Sequence, residues 1–165
     1  MTDSSHIDDL RRRVQKDPAS IAFAQLAEEL RRSGALHDAV DVCREGLRRH
    51  PSYISAHVTL GRALLQLGQL DEAQAELEQV RRDAPDNLAA LRALADIRQR
   101  QGSPAGALEY FEKALRLAPN DPELERLVAA IGPDVNRAAD AAADRSGRTI
   151  LALEQWLTAI HVSRA

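Results

Sequence analysis

Residues 54–85 decide how the chain is read: I-S-A-H-V-T-L-G-R-A-L-L-Q-L-G-Q-L-D-E-A-Q-A-E-L-E-Q-V-R-R-D-A-P. Two helical patterns meet at Gly68, and Pro85 closes the unit. A step of 34 residues in either direction finds the same marks. Gly34, Gly68 and Gly102 form one series; Ala39, Ala73 and Ala107 a second; Pro51, Pro85 and Pro119 a third; Leu26, Leu60 and Leu94 a fourth. A small residue, Ala27, Gly61 or Ala95, follows each of those leucines. Self-similarity at a fixed period marks a repeat solenoid, in which each unit buries its apolar face only against its neighbours.

Outward from this unit, repeat one covers residues 20–53, repeat two 54–87 and repeat three 88–121. In repeat one Phe23, Leu26, Ala27 and Leu30 mark the first helix, and Leu36, Ala39, Val40, Cys43 and Leu47 the second. The small residues let two helices cross closely. Glycine at the hairpin ends the first helix in a left-handed conformation, and proline drives the residue before it out of the helical region. Repeat three departs with Pro104, suited to a helix's first turn, and with Arg98 in a leucine slot. Gly46 inside the second helix of repeat one weakens that helix by up to ~1 kcal/mol. Ile7, Leu10 and Val14 predict an N-terminal capping helix over residues 5–16. Asp121-Pro122-Glu123 starts a C-terminal cap over 122–131, carrying Leu124, Leu127, Val128 and Ile131, which Gly132-Pro133 ends.

The solenoid with its caps thus spans residues 1–131. Residues 132–148 hold almost no large apolar side chain and read as a flexible linker. Beyond it, residues 149–163 place Ile150, Leu153, Trp156, Leu157 and Ile160 on one helical face, with Glu154, Gln155, Thr158 and His161 opposite. This predicts a separate amphipathic docking helix that needs a surface to cover it.

The 34-residue period, with L-G early, Ala in the second helix and Pro at the end, resembles the tetratricopeptide repeat (TPR) family. The resemblance covers residues 20–121 and implies an all-α, right-handed α-solenoid of three helix hairpins between two caps. It also implies a partner groove on the concave side, lined by each repeat's first helix. By position the groove residues are Ile21, Ala24, Glu28 and Arg31 in repeat one. They are Ser55, Val58, Arg62, Leu65 and Gln66 in repeat two, and Ala89, Arg92, Asp96, Gln99 and Arg100 in repeat three. The charges at Glu28, Arg62, Arg92 and Asp96 suit a solvated inner face, whereas Ile21, Val58 and Leu65 suggest an outward apolar series that invites a ligand. A TPR subclass clamps chaperone C-terminal carboxylates with lysines and asparagines. The matching places here hold Gln25, Glu28, Thr59, Arg62 and Asp96, so the asparagines are missing and that function does not carry over.

Composition narrows the remainder. A net charge of −3 implies no nucleic acid or membrane-surface partner. The doublets Arg31-Arg32, Arg48-Arg49 and Arg81-Arg82 read as solvated cations matched to helix C-termini. With aromatics at 3%, bases have little to stack on. Cys43 is the single cysteine and occupies the slot of Leu77 and Phe111, a core position. The polar start, residues 1–5, reads as no signal peptide, and no window approaches a membrane span; a bacterial-type cytoplasmic protein is expected. No P-loop, Rossmann fingerprint, nucleophile elbow or CxxC occurs. His6, His37, His50, His57 and His161 have no clear metal spacing, and His57 sits in the packing slot of Phe23 and Leu91. No enzyme activity, catalytic residue, metal or cofactor is therefore expected.

Three functions remain open. The chain is an adaptor, with one protein or peptide in the groove and a second on the Trp156 helix; or a secretion-type chaperone holding a client segment in the groove; or a self-associating scaffold whose C-terminal helix fills a groove. The identity of the partner is not written in any residue.

Overall fold

The computed structural model describes residues 2–18 and 20–163, with side-chain surroundings for 5–18 and 20–154. Among the described residues the chain forms eight helices: α1 (Thr2–Lys16), α2 (Ala22–Arg32), α3 (Leu36–Arg49), α4 (Ile54–Gln66), α5 (Leu70–Asp83), α6 (Leu88–Arg100), α7 (Pro104–Leu117) and α8 (Pro122–Ser163). The hairpins α2/α3, α4/α5 and α6/α7 are the three repeats. The architecture is an all-α solenoid, with α1 packed on α2 and α8 on α7.

Each hairpin turns the same way. Gly34, Gly68 and Gly102 have φ of 84°, 80° and 73°, a left-handed conformation that a Cβ would strain. The residue after each glycine donates its N–H back across the turn: Ala35 to Leu30 O at 2.9 Å, Gln69 to Leu64 O at 2.9 Å and Ser103 to Arg98 O at 2.9 Å. These bonds close a Schellman motif and satisfy carbonyls the helix end leaves open. The bond uses only the backbone, so Arg98 serves the turn as well as Leu30 and Leu64 do.

The second helices end alike as well. His50, Ala84 and Ala118, each preceding a proline, leave the helix with ψ of 67°, 79° and 70°. A turn then brings Tyr53 N to His50 O, Asn87 N to Ala84 O and Asp121 N to Ala118 O at 3.0–3.1 Å. The same turn follows α1, where Ser20 N meets Asp17 O at 3.0 Å beside Pro18. Helix α1 therefore occupies the place of a second repeat helix and covers the open end of the solenoid, with Leu10 only 1% exposed.

The core follows the repeat. Ala27, Ala39, Ala73, Ala95 and Ala107 are fully buried, and Leu26, Leu60 and Leu94 nearly so. A Cβ on Gly61 would fall 2.6 Å from Leu77 Cγ, so the α4/α5 crossing has no spare room. Cys43, Leu77 and Phe111 fill one equivalent core position.

The described structure departs from expectation at Gly132-Pro133. Helix α8 does not stop there; it runs through Pro133 to Ser163, so residues 132–148 are helical. Leu124 is fully buried, and Leu127, Val128 and Ile131 pack with it against Phe111. From 136 to 154 every residue is exposed, so the helix there is held by local terms alone. Alanines favour helix, and Arg137–Asp134 at 3.2 Å and Arg148–Asp144 at 2.6 Å pair along one side. Ile150, Leu151 and Leu153 are more than half exposed. The side chains of Trp156, Leu157 and Ile160 lie outside the described residues.

Candidate partner-binding groove

The concave side is set by which helices meet. The first helices α2, α4 and α6 pack backbone close to backbone in sequence, whereas the backbones of the second helices α3, α5 and α7 stand further apart and are bridged by long side chains, Arg44 to Glu72 at 2.6 Å and Tyr110 to Glu78 at 2.9 Å. The stack therefore curves toward the first helices, and their outward side chains line the hollow.

On that side α2 and α4 are joined by a polar cluster around Glu28. Arg31 presents its fork to the Glu28 carboxylate, Nε to Oε2 at 3.0 Å and NH2 to Oε1 at 2.8 Å, and donates NH1 to Gln66 Oε1 of α4 at 3.1 Å. Thr59 donates its hydroxyl to Glu28 at 3.2 Å, and Arg32 Nε donates at 3.1 Å. Arg62 stands 3.7 Å from Glu28, beyond hydrogen-bond distance. Burial pushes the Glu28 carboxyl up, but the Arg31 fork, the Arg31 and Arg62 charges and the Thr59 hydroxyl outweigh it and hold the group at about 2. Arg31 is only 8% exposed. The expectation of a solvated, dipole-matched side chain is thus corrected for Arg31. It is a buried cross-repeat link, because Gln66 and Glu28 saturate most of its donors.

Between α4 and α6 the hollow deepens to about 660 Å³, with Arg31, Arg62, Arg92 and Arg100 in its walls and Asp96 as the one carboxylate. Leu65, Leu88, Ala89 and Ala93 give it an apolar floor, and Gln66 completes it. Arg100 crosses from the end of α6 to donate NH1 to Leu65 O at 3.0 Å, three residues along α4 from Arg62. Arg92 is turned toward the start of α8, where it pairs with Asp121 Oδ2 at 2.8 Å and with Glu123. Asp121 accepts from Glu123 N and Leu124 N through its other oxygen, so it caps α8 and holds Arg92 together. Partial burial raises the Asp96 carboxyl against the Arg100 and Arg92 charges. Partial burial and the Arg31 charge lower Arg62 against Glu28.

Eight of the residues expected in the groove line this hollow: Arg31, Arg62, Leu65, Gln66, Ala89, Arg92, Asp96 and Arg100. The others lie elsewhere. Ala24 is buried beside Phe23, Glu28 lies beneath the arginines, Ser55 and Gln99 are exposed outside the hollow, and Ile21 stands 57% exposed at the start of α2. The expected outward apolar series is not present: Val58 and Leu65 are 9% and 6% exposed and pack into the main core. Helical spacing alone cannot separate a side chain leaning into the inter-repeat seam from one facing water. Leu88 and Ala93 were missed, although Ala93 repeats the position of Thr59 and could have been found by the 34-residue step.

Outside the hollow, His57 is occupied and Cys43 is inert. His57 sits between Glu76 Oε2 at 2.7 Å and Pro51 O at 2.8 Å, a link from α4 to α5 and the preceding turn. Burial and the charges of Glu28 and Glu76 push the Cys43 thiol up to about 12, so it is no nucleophile. Among the described residues no group of three His, Cys, Asp or Glu is placed to hold a metal ion, and no helix is long and apolar enough to cross a membrane.

A family model for the tetratricopeptide repeat matches residues 58–122, most of the second helix pair and all of the third. Residues 58–122 are tetratricopeptide repeats. Bacteriophage adsorption protein A of Escherichia coli (strain K12) is 26% identical over 131 residues, which is 79% of this chain but 13% of that protein. Among solved structures, TTC0263, a thermophilic TPR protein of Thermus thermophilus, is 26% identical with a TM-score of 0.65 over 76% of this chain and 70% of its own. YrrB, a TPR protein with an unusual peptide-binding site, shares the fold at 19% identity and a TM-score of 0.69, over 80% and 69% of the two chains. TPR domains mediate protein–protein interaction.

Proposed function

We propose that this TPR chain is a non-enzymatic cytoplasmic adaptor. It takes an extended segment of a partner protein in the groove of α2, α4 and α6, and it offers the far part of α8 as a second docking element. The observation that carries the reading is the hollow between α4 and α6, which combines an apolar floor with convergent polar groups, as ligand sites do. The fold likeness to YrrB agrees with it. A photo-crosslinker at exposed Gln66 should capture a partner from native lysate, whereas one at exposed Glu112 on α7 should not. Equal capture at both positions would remove the groove reading.

The exposed Ile150, Leu151 and Leu153 favour a second role for α8. In this reading it is a docking helix, and removal of residues 149–165 should release one class of partner while leaving Gln66 crosslinks intact. Trp156, the single tryptophan, should emit at long wavelength in dilute protein and shift to the blue when the partner is added. A mass that rises with concentration, and falls to that of a monomer on truncation, would assign this helix to a second copy instead.

A further inference from the structure

We infer that the groove ligand is an acidic peptide segment, its side-chain carboxylate held by Arg62 and Arg100 and a neighbouring apolar residue set on the floor between Leu65 and Ala89. The inference rests on the groove reading above and adds the chemistry of the partner.

The walls hold four arginines against one carboxylate. Two of the four are already spoken for. Arg31 is engaged by Glu28 and Gln66, and Arg92 by Asp121 and Glu123. The other two keep donors open. Among the described residues Arg62 has one ionic neighbour, Glu28 at 3.7 Å, and that carboxylate already accepts from Arg31, Arg32 and Thr59. Arg100 gives one N–H to a neutral carbonyl, Leu65 O, and keeps its charge. That bond holds its guanidinium against α4 at Leu65, three residues along the helix from Arg62. Arg62 carries 40% of its side-chain surface exposed, enough for a ligand to reach.

A guanidinium offers five donors in a planar fork that fits a carboxylate with two parallel bonds. Two such forks in the walls of one hollow, Arg62 and Arg100, leave positive charge there that a carboxylate would relieve. A basic segment would meet the two guanidiniums that keep donors open, Arg62 and Arg100. A neutral one would leave both forks without partners once water is expelled. Asp96 sets a limit, since it takes part of the Arg100 field. It therefore favours a ligand with spaced acids over a dense polyanion.

The test is selection of a randomised twelve-residue peptide library on the full chain. Enrichment of Asp or Glu beside Leu, Val or Ala is expected. A representative selected peptide, carboxy-amidated, should lose about tenfold in affinity against Arg62→Gln and against Arg100→Gln, and a similar amount when its acids become Asn or Gln. Ala89→Trp, which fills the floor, should abolish binding. Failure of enrichment, or unchanged affinity for Arg62→Gln, would overturn the acidic inference. If Ala89→Trp still blocked binding in that case, the groove itself would stand. Binding indifferent to Ala89→Trp would overturn both. Dependence on a free C-terminal carboxylate, or equal affinity for a single-stranded oligonucleotide of matched charge, would also overturn the inference.

Discussion

Gly46→Ala should destabilise the protein, although helix propensity alone says the reverse. Gly46 lies inside α3, where alanine is favoured by about 1 kcal/mol. A Cβ there would fall 2.0 Å from Phe23 Cδ2 and 2.3 Å from both Cγ and Cε2, against ordinary carbon contacts of roughly 3.5–4 Å. The ring would have to move by about 1.5 Å to restore such contacts. It has nowhere easy to go. Phe23 is 1% exposed, stacked on His50 at 5.8 Å and tilted against Tyr53 at 5.7 Å, with Ala24 and Ala56 in the same cluster. Overpacking of this kind costs about 1–3 kcal/mol, and a clash with three ring atoms belongs in the upper half of that range. The net loss is then about 1–2 kcal/mol, a fall of roughly 3–6 °C in the melting midpoint at this chain length. Thermal melts followed by circular dichroism read it, with native-state hydrogen exchange in α2 and α3 to localise the change, since repeats need not unfold as one unit. In a Phe23→Leu background the same substitution should become neutral or stabilising, a coupling of about 1–2 kcal/mol. A higher midpoint for Gly46→Ala in the native background would refute the close α2/α3 contact.

Leu60→Ala should cost ~2–5 kcal/mol in a denaturant titration, because Leu60 is 2% exposed within the main core. Glu28→Gln should destabilise by about 1–3 kcal/mol by leaving Arg31 buried with half its partners. Because the Glu28 carboxyl is held at about 2, below its usual value of 4.5, its contribution is complete above about pH 4.5 and lost as pH falls toward 2. The melting midpoint of Glu28→Gln should therefore fall less than that of the native chain as pH is lowered through this window. Arg92→Glu should loosen the start of α8, seen as lost exchange protection at 122–131, since it sets a carboxylate against Asp121 and Glu123. Deletion of 149–165 should leave the solenoid's stability unchanged within ~0.5 kcal/mol, because α8 is exposed from 136 to 154, the stretch that leads into the deleted segment; a clear drop would show that the far helix belongs to the fold.

Much of the fold was legible because a repeat states each rule several times. The 34-residue step placed the three hairpins, the glycine turns and the proline exits. These depend on backbone preferences of single residues, which neighbours cannot easily override. The cap α1 was legible for the same reason, as Asp17-Pro18 repeats His50-Pro51. The helical course through Gly132-Pro133 was not legible, since local breaker rules give a boundary there and nothing in the sequence displays the net outcome.

Tertiary structure decided what each inner-face side chain does. Sequence put Glu28, Arg31, Arg62, Arg92 and Arg100 on the same side of three helices, and spacing could go no further. Which guanidinium is spent depends on where the long side chains of adjacent repeats end: Arg31 reaches Gln66, Arg92 reaches Asp121, and Arg100 reaches Leu65 O. Gly46 shows the same division. By propensity it is a weak point in α3, and by packing it is the space Phe23 occupies. Propensity is a property of one residue in one helix. Packing is a property of two helices at a distance set by both, so only the assembled pair could assign its sign.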